Sequence, residues 1–271
     1  TAPAREIAAR GAPGSTLLTT LFSQSAPLIL LALTVFGIMI FTVSMLLLVA
    51  FRSSTNRLDQ AVPVTTFMST IATAWALALG FAAADVWSIR AQAEQAASEE
   101  RSTIARLAGI AGPEALDVPA MIEGLIAYKD AVRTVEWGTN ANRDPALEVD
   151  RALQQIRLGM IDFAQAGASA PLVAKMAQDF DELQDARNKR LALGGNSISQ
   201  YKWYLVLFLT FLSVVSIAAV HAERPPAARN ALAVFAVAAV VSLWILALHA
   251  MPYAGAARIG FEEIQFPITR S

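Results

Sequence analysis

The residues best suited by type and placement to do chemistry fall into two sets. Glu100, Glu136, Arg187 and Arg190 lie in one polar, helix-forming stretch. If the helices of that stretch bundle, these four could meet close to a membrane surface. They would then act as an ion-binding or gating cluster, or as an ion-pair network that orients helices, costly to break where it is buried. The second set is Thr66, Thr70 and Thr73, a hydroxyl row at i, i+4 and i+7, continued by Leu77 and Phe81 and closed by Asp85. Around an axis shared by identical subunits, such hydroxyls could line a pore. Leu77 or Phe81 would form a constriction that gates by drying, and Asp85 would be an acidic mouth. The competing reading is packing, since small and hydroxyl residues also permit close helix contact, and Asp85 would then be a solvated helix residue.

Other chemistries lack the residues they need. The chain has no cysteine, so thiolate nucleophiles, disulfides and Cys-based metal sites are excluded. Its two histidines, His221 and His249, are far apart at the ends of apolar segments and suit interfacial positions. No nucleophile, base and orienting group recur at a usable spacing, so no catalytic residue, metal ligand or cofactor is expected, and the chain does not read as an enzyme. A net charge of -1 gives no basic excess for nucleic acid.

The elements that would position both sets follow from hydropathy. The chain is 55% hydrophobic and 16% charged, with mean hydropathy +0.48 and its apolar residues gathered in blocks, as expected of an integral membrane protein. Four blocks are long enough to cross roughly 30 Å of hydrocarbon at about 1.5 Å per residue. They are 27–51, 61–84, 203–220 and 231–248. The expected organisation is a polar N-terminal arm with a short interfacial helix (1–26), a transmembrane hairpin (27–84), an extramembrane helical bundle (85–202), a second hairpin (203–250) and a C-terminal tail (251–271). The fold class is all-α: a polytopic membrane protein with four transmembrane helices and an inserted helical bundle.

In the second block Ser69, Thr73, Ala76, Gly80 and Ala83 fall on one face. Pro63 suits its first turn. No breaker separates Ala84 from the polar sequence beyond, so one long helix is expected to run out of the membrane to about Leu107, stopped by Gly109, Gly112 and Pro113. Helices over 118–137, 146–166 and 171–193 follow, with Trp137 as a core anchor. Tyr201, Trp203 and Tyr204 form an aromatic belt before the third block, and Pro225 and Pro226 sit in the turn before the fourth.

Four spans put both termini and the bundle on one side. The short loops carry Arg52, Arg57, Arg224 and Arg229 against Asp59 and Glu223, which favours cytoplasmic loops and a periplasmic bundle, with Lys189, Arg190 and Lys202 as a counterweight. The expected location is the bacterial inner membrane.

From Thr65 onward the chain resembles the DUF4239 group of four-span bacterial membrane proteins, described as bestrophin-like. The resemblance is carried by order and spacing. Leu79-Gly80-Phe81 runs on to Glu100 and Ile104, and Tyr128 is followed by Val132, Val135, Glu136 and Trp137. Leu183, Arg187, Arg190 and Leu191 precede Trp203 and Tyr204, and Met251-Pro252-Tyr253-Ala254-Gly255 closes the pattern. Gly80, Tyr128, Trp137, Pro252 and Gly255 are thereby marked as structural positions. Ala250 stands where an acidic residue is common, and Arg101 where a small residue is usual.

The resemblance implies a homo-oligomeric passive ion channel in a lipid bilayer. The alternative is a non-catalytic accessory or scaffold subunit that binds a larger membrane complex through its helical domain and N-terminal arm. A ligand sensor is a weaker third reading. The spans carry no interior charge, which argues against a proton relay or coupled transporter.

Overall fold

The computed structural model describes residues 17–54, 65–195, 199–221, 224–264 and 267–268. The expectations for the arm before Leu17, for Pro63, Arg57 and Asp59, and for Glu223 lie outside the described residues. Every regular element among the described residues is helical. They are α1 (Leu17–Phe22), α2 (Ala26–Ser54), α3 (Thr65–Ala111), α4 (Pro119–Ala131), α5 (Leu147–Gln165), α6 (Ala170–Ala192), α7 (Gln200–Val220) and α8 (Pro225–His249). A π-helical segment, Val132–Thr139, extends α4, and a 3-10 turn covers Phe261–Glu263.

Four of these helices are long and apolar enough to cross a membrane: α2, α3, α7 and α8. The protein is therefore an all-α membrane protein with an inserted helical bundle. The chain forms two compact units, one of Thr1–Val86 with Ile198–Ala250 and the other of Trp87–Ser197 with Met251–Ser271.

In the first unit α2, α7 and α8 share an apolar core that includes Ile40, Leu48, Val214, Ile217 and Leu232. Gly37 lets α2 approach α8, because a Cβ there would lie 2.6 Å from Val240 Cγ2. Several polar side chains within the spans find partners. The Trp75 indole N–H donates to Thr210 Oγ1 at 2.9 Å, and the Thr210 hydroxyl donates to the Val206 carbonyl at 2.7 Å. Trp244 Nε1 donates to the Ala26 carbonyl at 3.2 Å. Phe22 of α1 packs on Trp203 with ring centroids 4.5 Å apart, so the short helix is docked against the start of α7.

Two boundaries differ from the sequence expectation. The helix that carries the fourth apolar block begins at Pro225, ahead of the block's own start at Ala231: Pro225 and Pro226 occupy the first helical positions, where a missing N–H costs no intrahelical bond. α3 runs to Ala111 rather than Leu107, because Gly109 alone weakens a helix by only about 1 kcal/mol and does not end it.

In the second unit, α3 from Trp87 onward, α4, α5 and α6 enclose a core built on Ile104, Leu107, Met121, Leu125, Ile156, Phe180 and Leu183. Gly124 and Gly159 allow α4 and α5 to touch: a Cβ at Gly124 would fall 2.8 Å from Ile156, and one at Gly159 3.0 Å from Met121. Ala-rich stretches of α3 supply the flat face for this packing, with Ala93, Ala96 and Ala97 fully buried.

Candidate functional site

The four charged residues of the bundle meet. α3 carries Glu100, the π-helical segment carries Glu136, and α6 carries Arg187 and Arg190 one turn apart. Glu100, Glu136 and Arg190 are completely buried and Arg187 is 5% exposed. Arg190 is the hub. Its Nε donates to Glu100 Oε2 at 2.6 Å, and its Nη2 donates to Glu100 Oε1 at 3.1 Å and to Glu136 Oε2 at 2.8 Å. Its Nη1 donates to Asn142 Oδ1. Arg187 forks onto the other oxygen of Glu136, with Nε at 3.0 Å and Nη2 at 2.5 Å, while its Nη1 reaches Asp150 at 2.8 Å. The Tyr128 hydroxyl donates to Glu100 Oε1 at 2.5 Å, and the Ala146 N–H donates to Glu136 Oε1 at 3.1 Å.

Two carboxylates face two guanidinium groups, so the buried set is neutral, and planar guanidinium forks match the carboxylates in geometry. The local field is visible in the proton affinities. Burial alone would raise the Glu136 carboxyl, but hydrogen bonds from Arg187 and the charge of Arg190 hold it below the ordinary range. Burial, reinforced by the Glu100 carboxylate, pushes the Tyr128 phenol well above its ordinary value. Burial would lower Arg187 and Arg190, yet their carboxylate partners raise both. Glu136, Arg187 and Arg190 are therefore each held in the charged form by their partners. The cluster's hydrogen bonds join three helical elements: α3, the π-helical segment and α6.

The π-helical segment is what makes the arrangement possible. Its wider turn places the consecutive residues Glu136 and Trp137 both inside, along with Val132. Glu136 goes to the arginines. Trp137 lies with the Arg190 guanidinium carbon 5.5 Å from its ring centroid, and its indole N–H donates to the Ile259 carbonyl at 3.2 Å. The connection beyond is tight: Ala141 and Asn142 are left-handed, with φ 48° and 56°, and the Asn142 carbonyl packs where a Cβ at Gly194 would come within 1.7 Å. Asn142, Asp150 and the Ala146 N–H are members of the network that the sequence reading did not single out. The one signal was an Asn in a turn-forming run, where a left-handed backbone is tolerated.

The second set of residues lies on α3 in the other unit. Thr70, Thr73, Leu77 and Phe81 are exposed, the last two by 56% and 67%. The side chain of Thr66 lies outside the described residues. The Thr73 hydroxyl donates to the Ser69 carbonyl at 2.8 Å, so its proton is committed to its own helix. Asp85 is paired with Lys202 of α7, the two side chains 36% and 52% exposed. Gly80 faces open space. Among the described residues no group of three or more His, Cys, Asp or Glu could hold a metal ion.

No match is found among curated proteins. Solved structures share the fold. A mutant form of a bacterial bestrophin homologue from Klebsiella pneumoniae has a TM-score of 0.64 at 14% identity, covering 84% of this chain and 96% of that one. A second crystal structure of a bestrophin homologue from the same organism has a TM-score of 0.61 at 15% identity, covering 84% and 93%. A family model described as a Bestrophin-like domain matches residues 35–263, a span that takes in α3, the buried cluster and all but the start of the membrane helices. The chain belongs to the bestrophin-like family.

Proposed function

We propose that the protein is a homo-oligomeric passive ion channel, with α3 of each copy lining the pore. The observation that carries this is the incompleteness of α3 within its own chain. Its most apolar window is 11% buried, against 28% for α2, 44% for α7 and 28% for α8. A span so little covered needs a neighbour, and the face it leaves open bears Thr70, Thr73, Leu77 and Phe81 rather than a uniform lipid-facing surface. Thr hydroxyls offer oxygen to a partly dehydrated ion, and Leu77 and Phe81 supply an apolar constriction. The absence of charge within the spans fits passive conduction rather than coupled transport. The family resemblance points the same way.

We place the short connections that carry Arg57 and Arg224, with the adjoining helix ends that carry Arg52 and Arg229, in the cytoplasm and the bundle in the periplasm of a bacterial inner membrane, following the distribution of basic residues. The same uncovered face of α3 would suit a companion helix, so the accessory-subunit reading makes the opposite prediction for one experiment. Particles extracted gently from native membranes are weighed and imaged. A symmetric ring of identical chains with an axial opening supports the channel, and Leu77→Ala in vesicles should then raise ion flux by widening and wetting the constriction. A single copy bound to other proteins, or a particle with no axial path, refutes it.

A further inference from the structure

The segment after α8 is a tail in sequence but not in the structure. Met251, Tyr253, Ile259 and Ile264 are each at most 3% exposed, and all lie in the bundle unit. The segment is folded on itself by a left-handed Gly255, φ 78°, and by the Ile259 N–H donating to the Pro252 carbonyl at 2.7 Å. It is then fixed at two places. On α3, the Tyr253 hydroxyl donates to the Ala93 carbonyl at 2.8 Å and Arg90 Nη1 donates to the Ala257 carbonyl at 2.6 Å. On the π-helical segment, Trp137 donates to the Ile259 carbonyl and meets Tyr253 and Phe261 edge-on, with centroids 5.1 and 5.7 Å away. Trp137 in turn lies against Arg190, the hub of the buried cluster.

These contacts form one chain of side chains from α3 through the strap to the ion pairs. Each link is specific. The Tyr253 hydroxyl donates to the Ala93 carbonyl, and Trp137 meets both the strap and the Arg190 guanidinium. We infer that Met251–Ile264 is a coupling strap: seated, it locks the α3 turn at Arg90 and Ala93 to Trp137 and, through Trp137, to the Glu100–Glu136–Arg187–Arg190 cluster, and unseating it loosens both together. The regulatory meaning rests on the channel reading above, because α3 is the helix assigned there to the pore. In that setting the strap sets how readily the channel opens, while the pore residues set what passes.

The test uses the full chain in vesicles of phosphatidylethanolamine and phosphatidylglycerol. Backbone hydrogen exchange is followed separately in the strap, in α3 over residues 90–100 and in the π-helical segment with its following turn. Tyr253→Phe removes one hydroxyl donor at nearly constant shape, and Trp137→Phe removes the indole donor. Coupling predicts that Tyr253→Phe, which keeps the ring against Trp137 and removes a hydroxyl bonded to α3, speeds exchange around Glu136 as well as around Ala93, by about fivefold to tenfold in both, the scale expected for losing one buried hydrogen bond. Trp137→Phe should do the same in the reverse direction.

The inference is overturned if either substitution speeds exchange only at its own site, with the other end unchanged. Should Trp137→Phe fail to fold, the Tyr253→Phe comparison decides alone. Ion flux through the same vesicles separates this inference from the channel reading. With a conducting protein, both variants should change open probability and leave single-channel conductance unchanged. A wild-type protein that passes no ions refutes the channel, while the exchange result still decides whether the strap couples α3 to the cluster.

Discussion

Replacing Arg190 by Met keeps the length of the aliphatic stem and removes every donor at the hub. Four hydrogen bonds disappear, to both oxygens of Glu100, to Glu136 Oε2 and to Asn142 Oδ1. What remains is two buried carboxylates and one arginine, Arg187, which is paired with Glu136 and Asp150, so Glu100 retains only the Tyr128 hydroxyl among the partners described above. Removing one partner of a buried ion pair costs about 3–5 kcal/mol, chiefly through the charge left uncompensated. Because Arg190 serves two carboxylates, the upper end, about 5 kcal/mol, is the expected loss. A stability change of 1 kcal/mol shifts Tm by roughly 4 °C where the ranges for smaller and larger domains meet, so the bundle's transition should fall by roughly 20 °C.

The assay is thermal unfolding of the full chain in detergent at a fixed scan rate, read by far-ultraviolet circular dichroism. A second variant isolates the cause. Adding Glu100→Gln to Arg190→Met neutralises the stranded charge while keeping an acceptor for Tyr128, and should recover part of the loss. A fall of under about 4 °C for Arg190→Met, or a double variant whose loss is the sum of its two single losses, would refute the reasoning that the cluster acts as a buried charge-balanced set.

Three further outcomes are expected of the same preparation. Gly194→Ala brings a Cβ against the Asn142 carbonyl, backbone against backbone, and should cost about 1–3 kcal/mol, whereas Gly195→Ala meets open space and should be nearly neutral in the same melting assay. Glu136 titrates below its ordinary value in the folded state, so the stability it contributes is full above the ordinary carboxyl range near 4.3 and is lost as pH falls through the depressed folded value. The melting temperature of the bundle should therefore drop on acidification from about pH 5 to about pH 3, and Glu136→Gln should flatten that slope; an unchanged slope would dissociate Glu136 from acid sensitivity. Tyr128→Phe removes a buried hydrogen bond to a carboxylate and should cost about 1.5–3 kcal/mol.

Much of the architecture was legible in the sequence because a membrane imposes it. Uncharged runs of fixed length report spans directly, and the lack of any Gly or Pro between Ala84 and Glu100 reports that α3 continues without a break. What sequence reasoning could not reach depends on contacts distant along the chain or on backbone geometry with no composition signal. Nothing in Val132–Thr139 distinguishes a π-helix from an α-helix, so a reading that set Glu136 in a charged cluster and Trp137 in the core carried no sign of the wide turn that holds them there. Asn142 reads as an ordinary turn residue until Arg190 is seen to point at its amide oxygen. The closing segment reads as a tail in which the family resemblance alone marks Pro252 and Gly255, and Trp137 and Ala93 together reveal that it has a seat. The hydroxyl row of α3 was legible as a row, whereas its exposure needed coordinates, because the same residues would serve equally in a tight helix contact.

The π-helical segment also has a consequence for chain length. A π-turn is one residue longer than the α-turn it replaces, so deleting a single residue between Val132 and Gly138 would let the helix close up in ordinary α geometry. The wide turn absorbs that extra residue, so the chain beyond would keep much of its direction, and the change would fall on the fan of side chains inside the segment. Glu136 and Trp137 would be spread further apart on the tighter turn, which would strain the bonds from Arg190 to Glu136 and from Trp137 to the Ile259 carbonyl. At this place the spacing of residues matters more than the identity of most of them: a one-residue deletion that changes no named side chain should be more damaging than most single substitutions in the same helix.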